Sequence, residues 1–174
     1  MAVEELVERL VEFITCPDPD PALFNPLALD VFRHQARHNE PFARLLRAQG
    51  RTVRTVRHWT DIPAVPIDAF KSQLLSCTPP EQAEAVFMTS GTTRGAERGR
   101  NVHSSLRVYD ASMRTGFRAA VMDGVERLPM AILFPPPSLL PHSSLAHYLE
   151  LARSSFGTAD SLHVVGRQGL DVDT

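Results

Sequence analysis

AVFMTSGTTRG, residues 85–95, joins four consecutive apolar residues to a run of hydroxyls and glycines. Ala85, Val86, Phe87 and Met88 have the length and composition of a short buried strand, and the residues after Met88 do not continue it. Gly91 and Gly95 let the backbone turn sharply, while Thr89, Ser90, Thr92 and Thr93 place four hydroxyls within five residues. Such a turn can aim successive backbone N–H groups inward and form a concavity for an anion. It is not the loop of the P-loop nucleotidases, which needs GxxxxGK followed by Ser or Thr, because no lysine follows Gly91 or Gly95. Arginines follow instead, at 94, 98 and 100. On composition alone, an ordinary connection between a strand and a helix stays open as well.

Downstream, the pattern alternates. Leu106, Tyr109, Met113, Phe117, Ala120 and Val121 fall at helical spacing within 104–122, and MAILF (130–134) is a strand candidate. Ser143 or Ser144 can cap a helix carrying Leu145, Tyr148, Leu149 and Ala152, and LHVVG (162–166) reads as a third strand. The order strand, helix, strand, helix, strand predicts an α/β fold with parallel pairing through right-handed crossovers. Ligands of such sheets sit at the carboxyl ends of the strands. The quoted loop occupies the first of these ends, and the turn at His142 and Ser143 occupies the second. Six arginines lie between 94 and 118 against Glu97 and Asp110, so this part of the chain is locally basic and suited to charge-assisted bonds to phosphate.

Upstream, Val3, Leu6, Val7, Leu10, Val11 and Ile14 predict an amphipathic helix that CPDPDP (16–21) stops. Asn25 followed by Pro26 predicts one helix entry, and Asn39-Glu40-Pro41 another, for a helix that Gly50 ends. Residues 51–66, with two prolines and the sole tryptophan, read as a packed irregular crossover whose arginines at 51, 54 and 57 form solvated surface. Trp59, Phe70, Tyr109 and Phe117 read as core residues. Residues 1–83 are therefore expected to form a helical and irregular entry segment, and 84–174 the α/β unit bearing the loop.

The chain has 174 residues, 43% of them apolar, and a formal charge of −2, which gives no reason to expect a nucleic-acid or membrane-surface partner. No apolar run is long enough to span a bilayer, and four glutamates within the first 13 residues exclude a signal-peptide pattern, so the expected location is the cytoplasm. Cys16 and Cys77 have no metal-binding or disulfide spacing. His34 and His38 form an i, i+4 pair with no third ligand near in sequence, so no protein-bound metal is expected. Of 18 basic residues, only Lys71 is a lysine.

The string Thr89-Ser90-Gly91-Thr92-Thr93 after an apolar strand resembles the phosphate-binding motif of the adenylate-forming enzymes. Upstream, FNPLALDVFRHQARHNEPF and WTDIPAVPIDAFK, and downstream, RGRNVHSSLRVYDASM and PHSSLAHYLELA, resemble the acyl-protein synthetases, the LuxE-type fatty-acid ligases associated with bacterial bioluminescence. The likeness runs from about Phe24 to Gly157. It implies a fragment of the large N-terminal domain of such an enzyme, with ATP and Mg²⁺ as cofactors. A fatty acid would be activated to acyl-adenylate and the acyl group passed to a thiol, on an acceptor protein or acyl-reductase partner.

On this likeness Thr92 and Thr93 serve catalysis, and Thr89, Ser90, Gly91, Gly95 and Arg100 help hold the ATP phosphates. His103, His142 and Ser143 are candidates for the substrate or nucleotide pocket, although His103 could equally be a polar neighbour at a helix start and Ser143 a helix cap. The loop departs from the general adenylating pattern: Arg94 stands where a glycine is expected, and the usual Pro-Lys is missing. Arg94, Arg98 or Arg100 is expected to replace that lysine's charge.

The resemblance also implies a longer protein, with a ribose-binding acidic residue, a C-terminal lysine and a late acyl-accepting cysteine. Lys71, Cys16 and Cys77 lie too early for those roles, so the 174 residues are expected to be a partial domain that does not turn over alone. A phenylacetate-type acyl-CoA ligase fragment and a non-catalytic nucleotide-binding or partner-docking module are the alternatives. A serine hydrolase is disfavoured by the lack of a GxSxG elbow.

Overall fold

The computed structural model describes residues 2–89 and 98–170. They form a mixed structure of helices and small sheets. The chain divides into two compact units, residues 1–108 and 109–174, which are taken in turn.

The first unit is built on helices α1 (Val3–Thr15), α2 (Phe24–His38) and α3 (Glu40–Ala48). α1 follows its apolar stripe and ends at the proline-rich connector, as its spacing predicts. α3 starts where Asn39 stands ready to cap it: the Asn39 side-chain oxygen accepts from the Phe42 N–H at 3.2 Å, with Pro41 in the first turn. It ends at Gly50, whose φ of +63° is the left-handed conformation that glycine adopts without strain.

The expected cap at Asn25 does not form. α2 begins at Phe24, two residues before Pro26, because the turn Pro21–Leu23 runs directly into it. The Asn25 side chain instead accepts from the Trp59 N–H at 2.8 Å and ties the crossover to α2. Leu29, Phe32, Phe42, Leu46 and Val56 make the core of this unit, with Ile62 and Val65 packed against it. Trp59 does not join that core. It is 45% exposed, and its ring meets Phe24 edge-on.

After the four-residue helix α4 (Ala69–Ser72), strand β1 (Ala85–Met88) forms where the apolar run places it. Its hydrogen-bonded neighbour is β2 (Arg100–His103), antiparallel, with Ala85 opposite His103 and Met88 opposite Arg100. β1 and β2 are therefore the two arms of a hairpin, and His103 lies on a strand rather than at a helix start. RNVH carries one apolar residue and no strand signal of its own. Its extended form comes from the partner it pairs with.

In the second unit, α5 (Arg107–Phe117, its first two residues still within the first unit) passes into a π-helical turn, Arg118–Met122, so the 104–122 pattern is shorter and less regular than its spacing predicts. MAILF contributes only β3 (Ala131–Ile132). LHVVG divides into β4 (Leu162–His163) and β5 (Val165–Gly166), and β5 pairs antiparallel with β6 (Gly169–Leu170).

β3 and β4 pair in parallel, with α6 (Ser144–Phe156) connecting them, so one β-α-β crossover is present. The five-element order read from the sequence does not appear as one sheet among the described residues: β1 is hydrogen-bonded to β2, and β3 to β4. Met113 on α5 packs with Leu151 and Ala152 on α6, flanked by Phe117 and Tyr148.

Candidate functional site

Thr89 closes the hairpin loop at its foot. Its N–H donates to the Gly99 carbonyl at 2.9 Å, and its hydroxyl accepts from the Gly99 N–H at 3.0 Å. The two residues form a reciprocal pair that holds the ends of the loop together. Gly99 is buried, and a Cβ there would lie 2.9 Å from the Phe70 carbonyl oxygen and 3.2 Å from Thr89 Cγ2. A glycine is thus required for the hairpin to rest on α4. Ser90, Gly91, Thr92, Thr93, Arg94 and Gly95 lie outside the described residues.

Beside this foot is a polar cleft of about 300 Å³, walled on one side by residues 70–74 and on the other by Arg98 and Arg100. Among the described residues that line it, none is acidic. Among the described residues, too, Arg98 and Arg100 have no carboxylate partner, and both are exposed. Lys71 lines the same cleft and, among the described residues, forms an exposed pair with Asp68 at 3.2 Å. Uncompensated guanidinium groups in a polar recess attract anions, and their planar fork suits phosphate oxygens.

A larger, mainly apolar pocket of about 470 Å³ lies between α1, α2 and β2, where Leu6, Val7 and Phe42 provide apolar wall. His103 lines it, with its ring 5.2 Å from that of Phe87. Phe70 borders both this pocket and the polar cleft. Cys77 and His34 also line the pocket. Burial pushes the Cys77 thiol above its ordinary value, and the thiol donates to the Gln35 side-chain oxygen at 3.4 Å. Burial, then the neighbouring His38, lowers His34, which favours its neutral form.

In the second unit, Ser143 caps α6, accepting from the Ala146 N–H at 3.2 Å, and His142 is exposed one residue earlier. Asp110 on α5 meets His147 on α6 at 2.8 Å, and the Tyr109 hydroxyl donates to the Ser144 carbonyl at 3.2 Å. Burial raises Tyr109, with the charge of Asp110 adding to the shift. His163, 8% exposed, donates from Nδ1 to the Phe134 carbonyl at 2.7 Å and turns Nε2 to Glu150 at 3.1 Å. The Arg153 hydrogen bond is the main cause that holds Glu150 below the usual carboxylate range.

Thr89 and Arg100 therefore belong to one hairpin, and Arg100 opens on the polar cleft. His103, at the far end of β2, faces the apolar pocket instead. His142 and Ser143 belong to the other unit. Lys71 escaped the sequence reading because 27 residues separate it from Arg98. The only signal was its being the single lysine. The Asp110–His147 pair escaped for the same reason, at a separation of 37 residues.

Compared with protein-family models, with curated proteins and with solved structures, the chain matches none.

Proposed function

We propose that this chain carries the ATP-phosphate grip of a cytoplasmic carboxylate-adenylating ligase of the acyl-protein synthetase kind. The observation that carries the reading is the position of Arg98 and Arg100. Both are without a carboxylate partner among the described residues, and both line a polar cleft at the foot of the loop that Thr89 and Gly99 close. A fatty acid's carboxylate would attack the α-phosphorus of ATP, and pyrophosphate would leave with its charge neutralised. The hydroxyls and backbone donors of Ser90, Gly91, Thr92 and Thr93 would orient the phosphates, and Arg100 would supply charge. The protein's part is positioning and electrostatic stabilisation, and no side chain here acts as nucleophile.

The donor set fits phosphate, since the described lining of the cleft offers cations, a serine hydroxyl and an amide but no carboxylate. Magnesium would be held by the phosphate oxygens themselves and would offset their charge. The apolar pocket that shares Phe70 with the cleft is the proposed place for the acid's chain. An acceptor protein or acyl reductase would then take the acyl group on a thiol. The parallel crossover β3–α6–β4 supports a parallel-sheet unit belonging to the large domain of such an enzyme.

The test is titration calorimetry of the chain with Mg·ATP, repeated on Thr92→Ala and Thr93→Ala. The wild-type chain is expected to bind, and each substitution to weaken binding about five- to tenfold, as expected for one lost hydrogen bond. Absence of binding at millimolar Mg·ATP, or equal affinity in all three proteins, refutes the reading.

A further inference from the structure

The loop motif presents hydroxyls and arginines but no lysine, yet the chain does own one lysine, and the fold brings it to the cleft. Lys71 stands on the wall formed by residues 70–74, and Arg98 and Arg100 on the other. The walls are fixed to each other, since Gly99 sits against the Phe70 carbonyl with no room for a side chain between them. Ser72 and Gln73 add neutral groups to the same lining. Arg44 donates to the Gln73 side-chain oxygen at 2.8 Å, which occupies that oxygen and leaves the NH₂ of Gln73 as a donor.

We propose that this cleft is a binding site for condensed phosphate, either free pyrophosphate or the polyphosphate of a nucleotide, and that Lys71 is a phosphate-binding residue of it. The assignment rests on the adenylation reading only for the identity of the nucleotide, and the cleft itself stands on described side chains alone.

The chemistry favours a multiply charged anion over a single carboxylate. Two guanidinium groups and one ammonium give three cations, with no acidic residue among the described residues of the lining. A monoanion would leave most of that charge unanswered, whereas pyrophosphate can engage all of it through several oxygens. Arginine and lysine divide the work: a planar fork matches paired phosphate oxygens, and a compact ammonium on a flexible stem reaches oxygens at other angles. The Asp68 contact does not withhold Lys71, because both partners are largely exposed and a pair of that kind is weak.

The experiment titrates inorganic pyrophosphate, orthophosphate and Mg·ATP separately into wild-type chain and into Lys71→Ala, Lys71→Arg and Arg100→Ala. Arg51→Ala, which removes a charge from the exposed crossover, serves as control. Pyrophosphate is expected to bind more tightly than orthophosphate, and Lys71→Ala to weaken it roughly ten- to a hundredfold, the range for one lost charge-assisted bond. Lys71→Arg should recover most of the affinity, Arg51→Ala should lose none, and Lys71→Ala should depend less on salt than wild type.

Unchanged pyrophosphate affinity in Lys71→Ala overturns the proposal, as does an equal loss in Arg51→Ala. If Thr92→Ala and Thr93→Ala weaken Mg·ATP while Lys71→Ala does not, the lysine assignment falls and the adenylation reading stands. If Lys71→Ala weakens pyrophosphate while the threonine variants bind Mg·ATP as wild type does, the cleft stands and the adenylation reading falls. If wild type binds none of the three ligands, both fall.

Discussion

Replacing Gly99 by alanine adds one methyl group at the point where the β1–β2 hairpin touches α4. The new carbon would lie 2.9 Å from the Phe70 carbonyl oxygen and 3.2 Å from Thr89 Cγ2. Both distances fall inside the roughly 3.5 Å at which non-bonded heavy atoms sit at ease. The nearer neighbour is backbone within α4, so no rotamer change relieves the contact, and either the hairpin or the helix must move. Overpacking of this kind costs about 1–3 kcal/mol. With a urea slope of about 2 kcal/mol/M, the midpoint of unfolding should fall by about 0.5–1.5 M. Trp59, the single tryptophan and a residue of the same unit, reports this transition by fluorescence.

Gly116→Ala supplies the opposite sign from the same chemical change. A Cβ there meets nothing within 4 Å, and Gly116 lies inside α5, where alanine is favoured over glycine by about 0.5–1 kcal/mol. Its midpoint, followed by far-UV circular dichroism, should rise. A Gly99→Ala protein as stable as wild type would refute the close approach of Gly99 to Phe70. It would also remove the reason for treating the two walls of the cleft as fixed to each other.

Two further substitutions test the caps and charges of the same structure. Asn39→Ala removes the cap of α3 and a buried side chain that donates to Gln35 at 3.1 Å, so it should cost about 1–2 kcal/mol in the Trp59-monitored transition; a loss under about 0.3 kcal/mol contradicts the cap. The carboxyl of Glu150 is held low in the folded chain, chiefly by Arg153 and then by His163, so its contribution is fully present above about pH 4.5 and is lost as pH falls through the lowered value. Glu150 is about one-third exposed, so the effect is discounted for solvent, and urea midpoints at pH 6 and pH 3 should converge between wild type and Glu150→Gln as pH falls. Divergence on acidification would contradict that sign.

What the sequence announced correctly was local. The Asn39 and Ser143 caps, the apolar stripe of α1 and the strand Ala85–Met88 depend on residues within a turn or two of themselves. Those parts of the pattern that needed a partner were less legible. RNVH has no strand periodicity and becomes β2 only against AVFM, so the alternation after residue 84 suggested β1 beside later strands when its neighbour was a segment 12 residues beyond its end. Asn25 shows the same limit on a smaller scale. Its Asn-Pro order signals a cap, but the preceding turn runs straight into α2, and the side chain is used 34 residues away on Trp59. Trp59 itself is large and apolar, yet the bend that presents it leaves it half-covered, with its ring against Phe24.

The candidate site divides along the same line. The hydroxyls and glycines of residues 89–95 raise the expectation of an anion turn from a single short string, because backbone freedom and neutral donors are properties of consecutive residues; Ser90 to Gly95 lie outside the described residues. Charge neutralisation works at a distance and has no such requirement, so its sources need only converge in space. The order Arg98-Gly99-Arg100 joins the two kinds of contribution. The glycine lets the strand approach the Phe70 carbonyl, and the flanking arginines line the recess that this approach creates. A lysine written into the loop would be one way to add a third cation. Placing it on α4, across a contact that only glycine permits, makes the same cation depend on the hairpin being docked. Lys71 would then be fully effective toward phosphate only in the folded first unit, which is why the Gly99 and Lys71 substitutions should weaken pyrophosphate binding together, although one adds no charge and removes none.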